Sequence, residues 1–512
     1  MMGVSKQTIA EHHEYFEQML GSIGGRMYYN LSSWHLMISL LPAYQLNGPF
    51  LEQMMGIDPK HQGSVTSPRT SKSLAALMTV FTSLRIIFIF LTMGLWQRYF
   101  NWKFERQFAH FQNLLGQDLP IKTMLEYYLQ AEDTFTRDFR IPIANDFAVM
   151  VSTGLLRKQI DAPDLYADSN VKSAEPGKYM AQLIQTIQDN EHYRQLFVRS
   201  NTPEEILTRL TGYAELEQMI SHYIREYGYR VPGELKLESV TFMNEPSLII
   251  RFLQQHTKRT NVITPSDIQL KHQKSVASQV KFLKRLYLRW LTAWARRSIT
   301  RREQTRFQRT LIFGLTRDTF LKLGQKLKDE GQLKHPRDIF YLTIEELSQQ
   351  ILHNTPHDLK KLAALRQKEA TYFETLDIPE HLEVDAYPVK SLMKFERKHK
   401  QNAVHKIHGR VASNAGQTLV SGTALTLTTF DQHANFEGKI LITRQSDPGW
   451  TIVFHLVKGI VVERCGLLSH AAIVAREFGI PCIIGASDAT ASIPDGATVQ
   501  MNVETGEVTW KK

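Results

Sequence analysis

GIVVERCGLLSHAAIVARE, residues 459–477, is the stretch that decides the fold at the end of this chain. Residues 459–463 form a short β-branched run, which is typical of a buried strand. The glycine-containing turn that follows ends at Ser469, a residue type that favours the N-cap of a helix. The stretch therefore predicts a strand, a tight turn and a helix over 470–478, with His470 in its first turn.

His470 is the first candidate for chemistry. A histidine at a helix N-terminus faces free backbone N–H groups and the positive end of the helix dipole, which disfavour imidazolium and favour a bound anion. A neutral, nucleophilic imidazole that holds a phosphoryl group stably is what a phosphoryl acceptor requires. A lone histidine at such a position is more often structural, so both interpretations stay open on the residues alone. Ser469 and His470 are not a hydrolase pair, because adjacent side chains do not form a triad.

More short strands surround this stretch, at 418–428, 438–443, 480–484, 497–503 and 507–510, with a second short helix near 449–457. Residues 403–512 are therefore expected to form a compact α/β or β-rich domain. The preceding residues 384–402 lose the helical pattern and contain Pro388 and a charged run at 394–400. We expect a linker here that lets the last domain swing.

Residues 1–383 are predicted to form a large, mainly α-helical domain. Apolar residues recur there at helical spacing, with long runs at 100–130, 177–199, 202–227 and 277–330. One segment, residues 74–95, approaches transmembrane length with Arg85 as its only charge. Because a central charge is costly in lipid, we expect a buried core helix, with a membrane span as the alternative.

The composition is that of a multidomain globular protein of 512 residues, with 43% hydrophobic and 22% charged residues. Cys465 and Cys482 are its two cysteines, which excludes a disulfide framework and a Cys-rich zinc site. No metal site is predicted. The first 21 residues lack the basic and apolar regions of a signal peptide, so we expect a cytoplasmic protein.

The net charge of +10 is unevenly distributed. Residues 403–512 hold nine basic and nine acidic residues, whereas residues 271–309 hold twelve basic residues and one acidic residue. The latter segment also carries Leu, Tyr and Trp at helical spacing, which predicts a basic amphipathic helix. Three interpretations of this helix stay open: a solvated basic face, a surface for a phosphate-rich ligand or an acidic partner domain, and membrane contact. No nucleic-acid partner is expected.

The last domain resembles the phosphohistidine swivelling domain of the phosphoenolpyruvate-utilising enzymes. The motifs that carry the resemblance are Asp447-Pro448-Gly449-Trp450, Gly459-Ile460-Val461, the segment from Cys465 to Glu477, Gly479-Ile480-Pro481 and Asp495-Gly496. The resemblance implies a β/β/α fold in which His470 carries the phosphoryl group, with Ser469, Gly466 and Arg476 as supporting residues. Cys465 is a departure, because the family usually has glycine there. From the residues alone, both cysteines are expected to be small buried hydrophobes.

The helical domain resembles the substrate-binding domain of the rifampin phosphotransferase type. This resemblance rests on residues 25–31, 226–235 and 245–247, on Arg317, and on motifs between residues 323 and 347. It makes Arg230 and Glu234 candidates for a site in the substrate domain, although a structural turn at 226–235 is an equally weighted alternative. Tyr229 and Lys236 depart from the family, which commonly has His and Asp at these positions.

Two features set the expected reaction. The chain ends at Lys512 without the roughly 250 residues of a pyruvate-binding TIM barrel, so we do not expect it to make phosphoenolpyruvate. The resemblance to the rifampin phosphotransferase type implies an ATP-grasp domain ahead of the helical domain. No Gly-rich phosphate loop follows a strand upstream of the last domain, so the resemblance implies that ATP and Mg²⁺ bind to a separate ATP-grasp partner protein. The resulting hypothesis is a split dikinase-type phosphotransferase that acts on an unknown small molecule. A catalytically degenerate protein that binds a metabolite or partner is the alternative.

Overall fold

The computed structural model describes residues 6–40, 72–159, 172–200, 202–257, 282–376, 378, 382, 405–431, 433–464, 466 and 469–511. The chain divides into two compact units, one of residues 1–138 with 318–403 and one of residues 139–317 with 404–512. Each combines segments that are distant in sequence. The predicted linker, 384–402, lies outside the described residues, and the predicted domain boundaries stay predictions.

The first unit is helical apart from one hairpin. Its strands are β1 (Leu20–Ile23) and β2 (Arg26–Tyr29), which pair antiparallel. Its helices are α1 (Lys6–Glu11), α2 (His13–Glu17), α3 (Leu31–Ser39), α4 (Lys72–Leu115), α5 (Ile121–Asp138), the C-terminal end of α12 (Phe282–Asp329), α13 (Ile344–Ile351) and α14 (Leu359–Glu374). A cluster that includes Leu125, Leu323 and Leu347 forms a core of this unit.

Helix α4 contains the apolar segment 74–95. Of its described side chains, Met93 is buried, but Leu84, Phe88, Leu91 and Leu95 are all at least 60% exposed. These four residues are spaced by three or four positions and so lie together on one face of the helix. The rest of the unit does not cover this face, and the expectation of a buried core helix is therefore wrong for it. Within the described part of the chain, no helix has the length and apolar character needed to cross a membrane.

The helical part of the second unit, residues 139–317, consists of short amphipathic helices. They are α6 (Arg140–Gln159), α7 (Glu175–Asp189), α8 (Glu191–Arg199), α9 (Pro203–Leu210), α10 (Ala214–Tyr227), α11 (Ser247–Thr257) and most of α12. The predicted run 177–199 divides at Asn190, whose side chain caps α8 by accepting hydrogen bonds from the N–H groups of His192 and Tyr193.

The C-terminal domain, residues 405–511, has an eight-stranded mixed sheet of order β3-β10-β9-β5-β6-β7-β8-β4. Strands β5 to β8 pair parallel, and the other pairs are antiparallel. The strands are β3 (Lys406–His408), β4 (Arg410–Ser413), β5 (Leu419–Leu427), β6 (Ile440–Thr443), β7 (Gly459–Val462), β8 (Cys482–Ile484), β9 (Thr498–Asn502) and β10 (Glu507–Lys511); the helices are α15 (Thr451–Phe454), α16 (His470–Phe478) and α17 (Ala489–Ser492). The predicted strands are confirmed to within two residues, whereas β3 and β4 were not predicted.

The sheet closes on itself at Gly409. Strands β3 and β4 are the two end strands of the sheet and pair with β10 and β8, respectively. Only Gly409 separates them, so one extended segment forms both ends of the sheet. The Cα of Gly409 lies where an added Cβ would come within 2.7 Å of the Ile484 carbonyl oxygen, so the closure requires glycine.

Two apolar clusters fill the second unit. One consists of residues of the C-terminal domain alone, including Ile442, Val461 and Met501. The other is shared, since it runs from α7, α10 and α12 to the C-terminal residues Phe454 and Ile473. The predicted fold class is confirmed, with a large mainly α-helical region and a small α/β domain, and the shared core holds that domain against the helical part.

Candidate functional site

His470 is the first residue of α16, as predicted. Ser469 is confirmed as the N-cap, since its Oγ accepts a hydrogen bond from the Ala472 N–H at 3.4 Å. The helix ends at Gly479 with a φ of 62°, a left-handed conformation that favours glycine. The strand, turn and cap thus fix the backbone on both sides of the imidazole.

The imidazole of His470 is 5% exposed and lies between two side chains. Its Nε2 is 2.9 Å from Oγ1 of Thr451, at the start of α15. Its Nδ1 is 3.7 Å from Oε2 of Glu303, which lies on α12 in the helical part. The histidine of the C-terminal domain therefore faces a carboxylate of the helical part.

Glu303 is fully buried and pairs with Arg306, whose Nη1 lies 3.0 Å from its Oε1. Burial acts to raise the pKa of Glu303, but Arg306 and His470 outweigh it and hold the pKa below its ordinary value, so the group is a carboxylate. The sequence-based reasoning did not identify Glu303. The signal was present, because Glu303 is the one acidic residue among twelve basic residues between 271 and 309.

Further arginines of α12 surround Glu303. Arg302 lies 3.2 Å from Asp146 on α6, and burial followed by the charge of Arg306 lowers the pKa of Arg302 to about 10. Burial and Arg306 likewise lower the pKa of Arg309. The predicted helix is confirmed over the described residues 282–309, although the apolar side chains of Leu286, Tyr287 and Trp290 are exposed. The Arg302 and Arg306 side chains are largely buried, where they pair with Asp146 and Glu303.

The sequence candidates Arg230 and Glu234 form a buried pair in the turn after α10. Nη1 of Arg230 lies 2.8 and 3.1 Å from the two carboxylate oxygens of Glu234, and the Thr310 hydroxyl of α12 donates to Glu234 at 2.8 Å. The guanidinium also lies 5.0 Å above the Phe307 ring. Among the described residues, Nε and Nη2 of Arg230 have no hydrogen-bond partner. A buried guanidinium with two free donors can bind an anion.

The rest of this turn is structural. Arg317, fully buried on α12, donates from Nε and Nη2 to the carbonyl groups of Glu234, Lys236 and Leu237. Tyr229 is buried with its ring against Gly314, and the Lys236 side chain is exposed. The two departures from the family therefore lie at a core position and at the surface.

The helical part and the C-terminal domain also meet at the Asp447 carboxylate and at two glycines, Gly449 and Gly177. Asp447 accepts hydrogen bonds from the Gly233 N–H at 2.8 Å and from the Gly449 N–H at 2.9 Å. A Cβ on Gly449 would lie 2.1 Å from the Val231 carbonyl carbon, and one on Gly177 would lie 2.6 Å from the Thr451 carbonyl oxygen. Glycines on both sides therefore permit the close contact that brings His470 to Glu303.

The other predicted supporting residues, Arg476 and Gly466, make hydrogen bonds within the C-terminal domain. Arg476 donates from Nε to the Ala412 carbonyl at 2.7 Å and so ties α16 to β4. The Gly466 carbonyl accepts from the Ser469 N–H at 2.9 Å. Support of a phosphoryl group by these residues stays a prediction. Cys465 lies outside the described residues, and Cys482 is a small buried residue of β8, as predicted.

Two protein-family models match the chain. Residues 435–506 match the mobile domain of PEP-utilising enzymes, and residues 142–303 match the fourth domain of rifampicin phosphotransferase. The first match contains His470, Thr451 and Asp447. The second ends at Glu303 and contains Asp146, Arg230 and Glu234. The two matched segments therefore meet at the candidate site.

Similar whole proteins include phosphotransferases. A rifampicin phosphotransferase of Bacillus cereus is 25% identical over 315 residues, which is 59% of this chain and 35% of that protein. An uncharacterized phosphotransferase of Bacillus subtilis is 24% identical over 357 residues, 66% of this chain and 42% of that protein. The crystal structure of Thermococcus kodakaraensis aconitase X has a TM-score of 0.18 at 18% identity, covering 21% of this chain and 98% of that one.

The matched part of the chain thus spans between a third and a half of each of these two relatives' length. The resemblance inferred from the sequence is confirmed: residues 435–506 are similar to the mobile domain of PEP-utilising enzymes, residues 142–303 are similar to the fourth domain of rifampicin phosphotransferase, and the chain is similar to phosphotransferases.

Proposed function

We propose that this chain is a phosphotransferase component of split dikinase type, in which His470 carries a phosphoryl group to a small molecule bound in the helical domain. The observation that carries the proposal is the position of His470, buried between Thr451 and Glu303 beside the arginines of α12. That placement supports the phosphoryl interpretation over the structural one, because a purely structural histidine needs neither a carboxylate partner nor concentrated positive charge.

Glu303 selects the reactive nitrogen in this proposal. A carboxylate opposite Nδ1 favours the tautomer with a proton on Nδ1, which leaves Nε2 unprotonated and nucleophilic. Thr451 Oγ1, 2.9 Å from Nε2, occupies the direction along which a phosphoryl group would be attached. We call the arrangement in which His470 faces Glu303 the docked form. Thr451 therefore has to move aside when the phosphorylated histidine enters this form.

The arginines near Glu303 neutralise the negative charge of the phosphoryl group during its transfer. In the transfer, the bond between Nε2 and phosphorus breaks and a bond forms between phosphorus and an acceptor hydroxyl oxygen. The hydroxyl proton ends on Nε2, which gives an imidazolium that Glu303 stabilises. Arg306, Arg309 and the free donors of Arg230 are available for the phosphoryl oxygens, and phosphoryl transfer depends mainly on such positioning and charge neutralisation.

The donor in this proposal is a separate ATP-grasp protein, which binds ATP and Mg²⁺ and phosphorylates His470. The donor has to reach His470 while the C-terminal domain is away from the helical part, because the docked imidazole is buried. A mobile histidine that meets two fixed sites suits this sequence of events.

The test is to incubate the purified chain with ATP and a candidate ATP-grasp partner and to measure acid-labile phosphate on the protein. Phosphate is expected on the wild type and absent from His470→Asn, which keeps the shape of the side chain but lacks its nucleophilic nitrogen. His408→Asn is the matched control, because His408 is an exposed histidine of the same domain.

Two outcomes contradict the proposal. Label that persists in His470→Asn excludes His470 as the carrier. Label that never appears with any candidate ATP-grasp protein contradicts the proposal and favours the alternative, a degenerate protein that binds a metabolite or partner without turnover.

A further inference from the structure

A cavity of about 560 Å³ lies between the helical part and the C-terminal domain. The helical wall includes Phe242, Leu248 and Phe252, and the opposite wall includes Phe430 and Ile452. These side chains make none of the contacts of His470 described above. The volume is within the range of small-molecule sites, roughly 300–1,000 Å³.

The cavity has an apolar floor and a charged rim. Phe242, Phe252 and Ile452 are buried, whereas the rim carries the exposed carboxylates of Glu245 and Asp431 and the partly exposed guanidinium of Arg251. Aromatic side chains favour a ligand with flat apolar rings. Two carboxylates against one guanidinium disfavour a ligand with a negative charge, and they offer acceptors to an N–H or O–H donor.

We propose that this cavity binds a neutral molecule that has aromatic rings and at least one N–H or O–H donor, and that its occupant holds the C-terminal domain in the docked position. Because each wall belongs to a different part of the unit, the complete cavity exists only in the docked form. A ligand that fills it binds the docked form more tightly and shifts the equilibrium toward it. The inference goes beyond phosphoryl transfer and rests on the proposed function only for the movement of the domain.

The experiment uses the full chain and N-phenyl-1-naphthylamine, a neutral fluorescent probe with three aromatic rings and one N–H. Saturable binding is expected. Peptide mass spectrometry measures the rate at which diethyl pyrocarbonate modifies His470. With the probe at saturation, this rate is expected to fall about tenfold, because His470 is buried in the docked form and coupling between sites is typically of this size. The sulfonated analogue 8-anilino-1-naphthalenesulfonate, with the same rings and a negative charge, is expected to bind at least tenfold more weakly.

Two substitutions fill the cavity from opposite walls. Leu248→Trp extends from α11, and His433→Trp extends from the exposed rim of the C-terminal domain, where a larger side chain leaves the fold intact. Each is expected to weaken probe binding at least tenfold. Val198→Trp is the control, because it adds the same side chain at an exposed position of α8 outside the cavity.

The proposal is overturned if both cavity variants bind the probe as the wild type does, or if probe binding leaves the carbethoxylation rate of His470 unchanged. Equal or tighter binding of the sulfonated analogue overturns the proposed ligand class. These measurements require neither ATP nor a partner protein. A failure here is therefore distinguishable from a failure of the phosphoryl-transfer proposal.

Discussion

Glu303 and His470 belong to different parts of the second unit, and their contact joins a carboxylate of the helical part to an imidazole of the C-terminal domain. The carboxylate is buried and stays ionised because Arg306 pairs with it. An ionised, buried group that faces a functional side chain acts on that side chain without competition from water. In the proposed mechanism, Glu303 is thus a positioning residue for His470 in the docked form.

Replacement of Glu303 by glutamine tests this role. Glu303→Gln is expected to reduce transfer from phosphorylated His470 to an acceptor on the order of 10²-fold or more, because the imidazole loses the partner that fixes its tautomer. Phosphorylation of His470 by the donor is expected to change little, since it takes place in the undocked form. Single-turnover labelling and chase measure the two steps separately, and Glu204→Gln, at an exposed position of α9, is the control. An equal loss in both steps would contradict the role.

Predictions for individual residues succeeded where the cause was local. The N-cap at Ser469 and the helix start at His470 follow from a few neighbouring residues and are confirmed. Asp447 and Glu303 were not identified as site residues, because their roles arise from contacts between segments more than 140 residues apart. Thr451 is only 19 residues from His470, but its contact depends on how α15 packs against α16. The pair Arg230 and Glu234 was named through a family resemblance, whereas its burial and its bond to Thr310 depend on where α12 lies.

At the scale of elements, helix α7 contributes a glycine to the docked contact. Gly177 lies in its first turn, a position where glycine is otherwise unfavourable compared with alanine by up to about 1 kcal/mol. The glycine makes room for the Thr451 carbonyl and the Phe478 ring. The helix is therefore weakened locally so that a neighbouring element can approach.

Gly177→Ala is expected to raise the helical propensity of α7 and yet to speed carbethoxylation of His470 several-fold. The reason is that the added methyl group would lie 2.6 Å from the Thr451 carbonyl oxygen in the docked form. Gly212→Ala is the control, since its added methyl group meets only the Arg209 carbonyl at 3.4 Å. If both variants leave His470 as protected as in the wild type, Gly177 has no role in docking.

The strands and helices of the C-terminal domain were predictable because short β-branched runs and turn residues alternate along its sequence. Strands β3 and β4 were missed. They are short, and their pairing with β10 and β8 depends on the closure of the sheet rather than on their own residues. The exposed face of α4 was missed because an apolar pattern does not show whether another element covers it.

The second unit buries a histidine that the proposed chemistry does not use. His455 follows α15 and is 4% exposed, and among the described residues its two ring nitrogens have no hydrogen-bond partner. Burial, with the charge of His256 on α11 as a second cause, lowers the pKa of His455 to about 3. A proton therefore binds His455 more readily once the domain has left the helical part.

The sign of the pH effect follows from this difference. Neutral His455 favours the docked form fully at pH values above its ordinary pKa of about 6.5. This contribution is lost as the pH falls from 6.5 toward 3, and the ratio of docked to undocked protein falls by up to tenfold per pH unit. Small-angle X-ray scattering between pH 8 and 5 is expected to show a rising radius of gyration at low pH. His455→Leu is expected to abolish most of this rise; an identical pH profile would exclude His455 as its source.

The closed sheet has a consequence for behaviour at high concentration. A domain that leaves its partner surface would be at risk of aggregation if it presented an open strand to other copies of itself. Here the segment around Gly409 occupies both ends of the strand order, so the described part of the sheet offers no long free edge for intermolecular pairing. A side chain at Gly409 would loosen that closure, and its first symptom would be loss of solubility rather than loss of phosphoryl transfer.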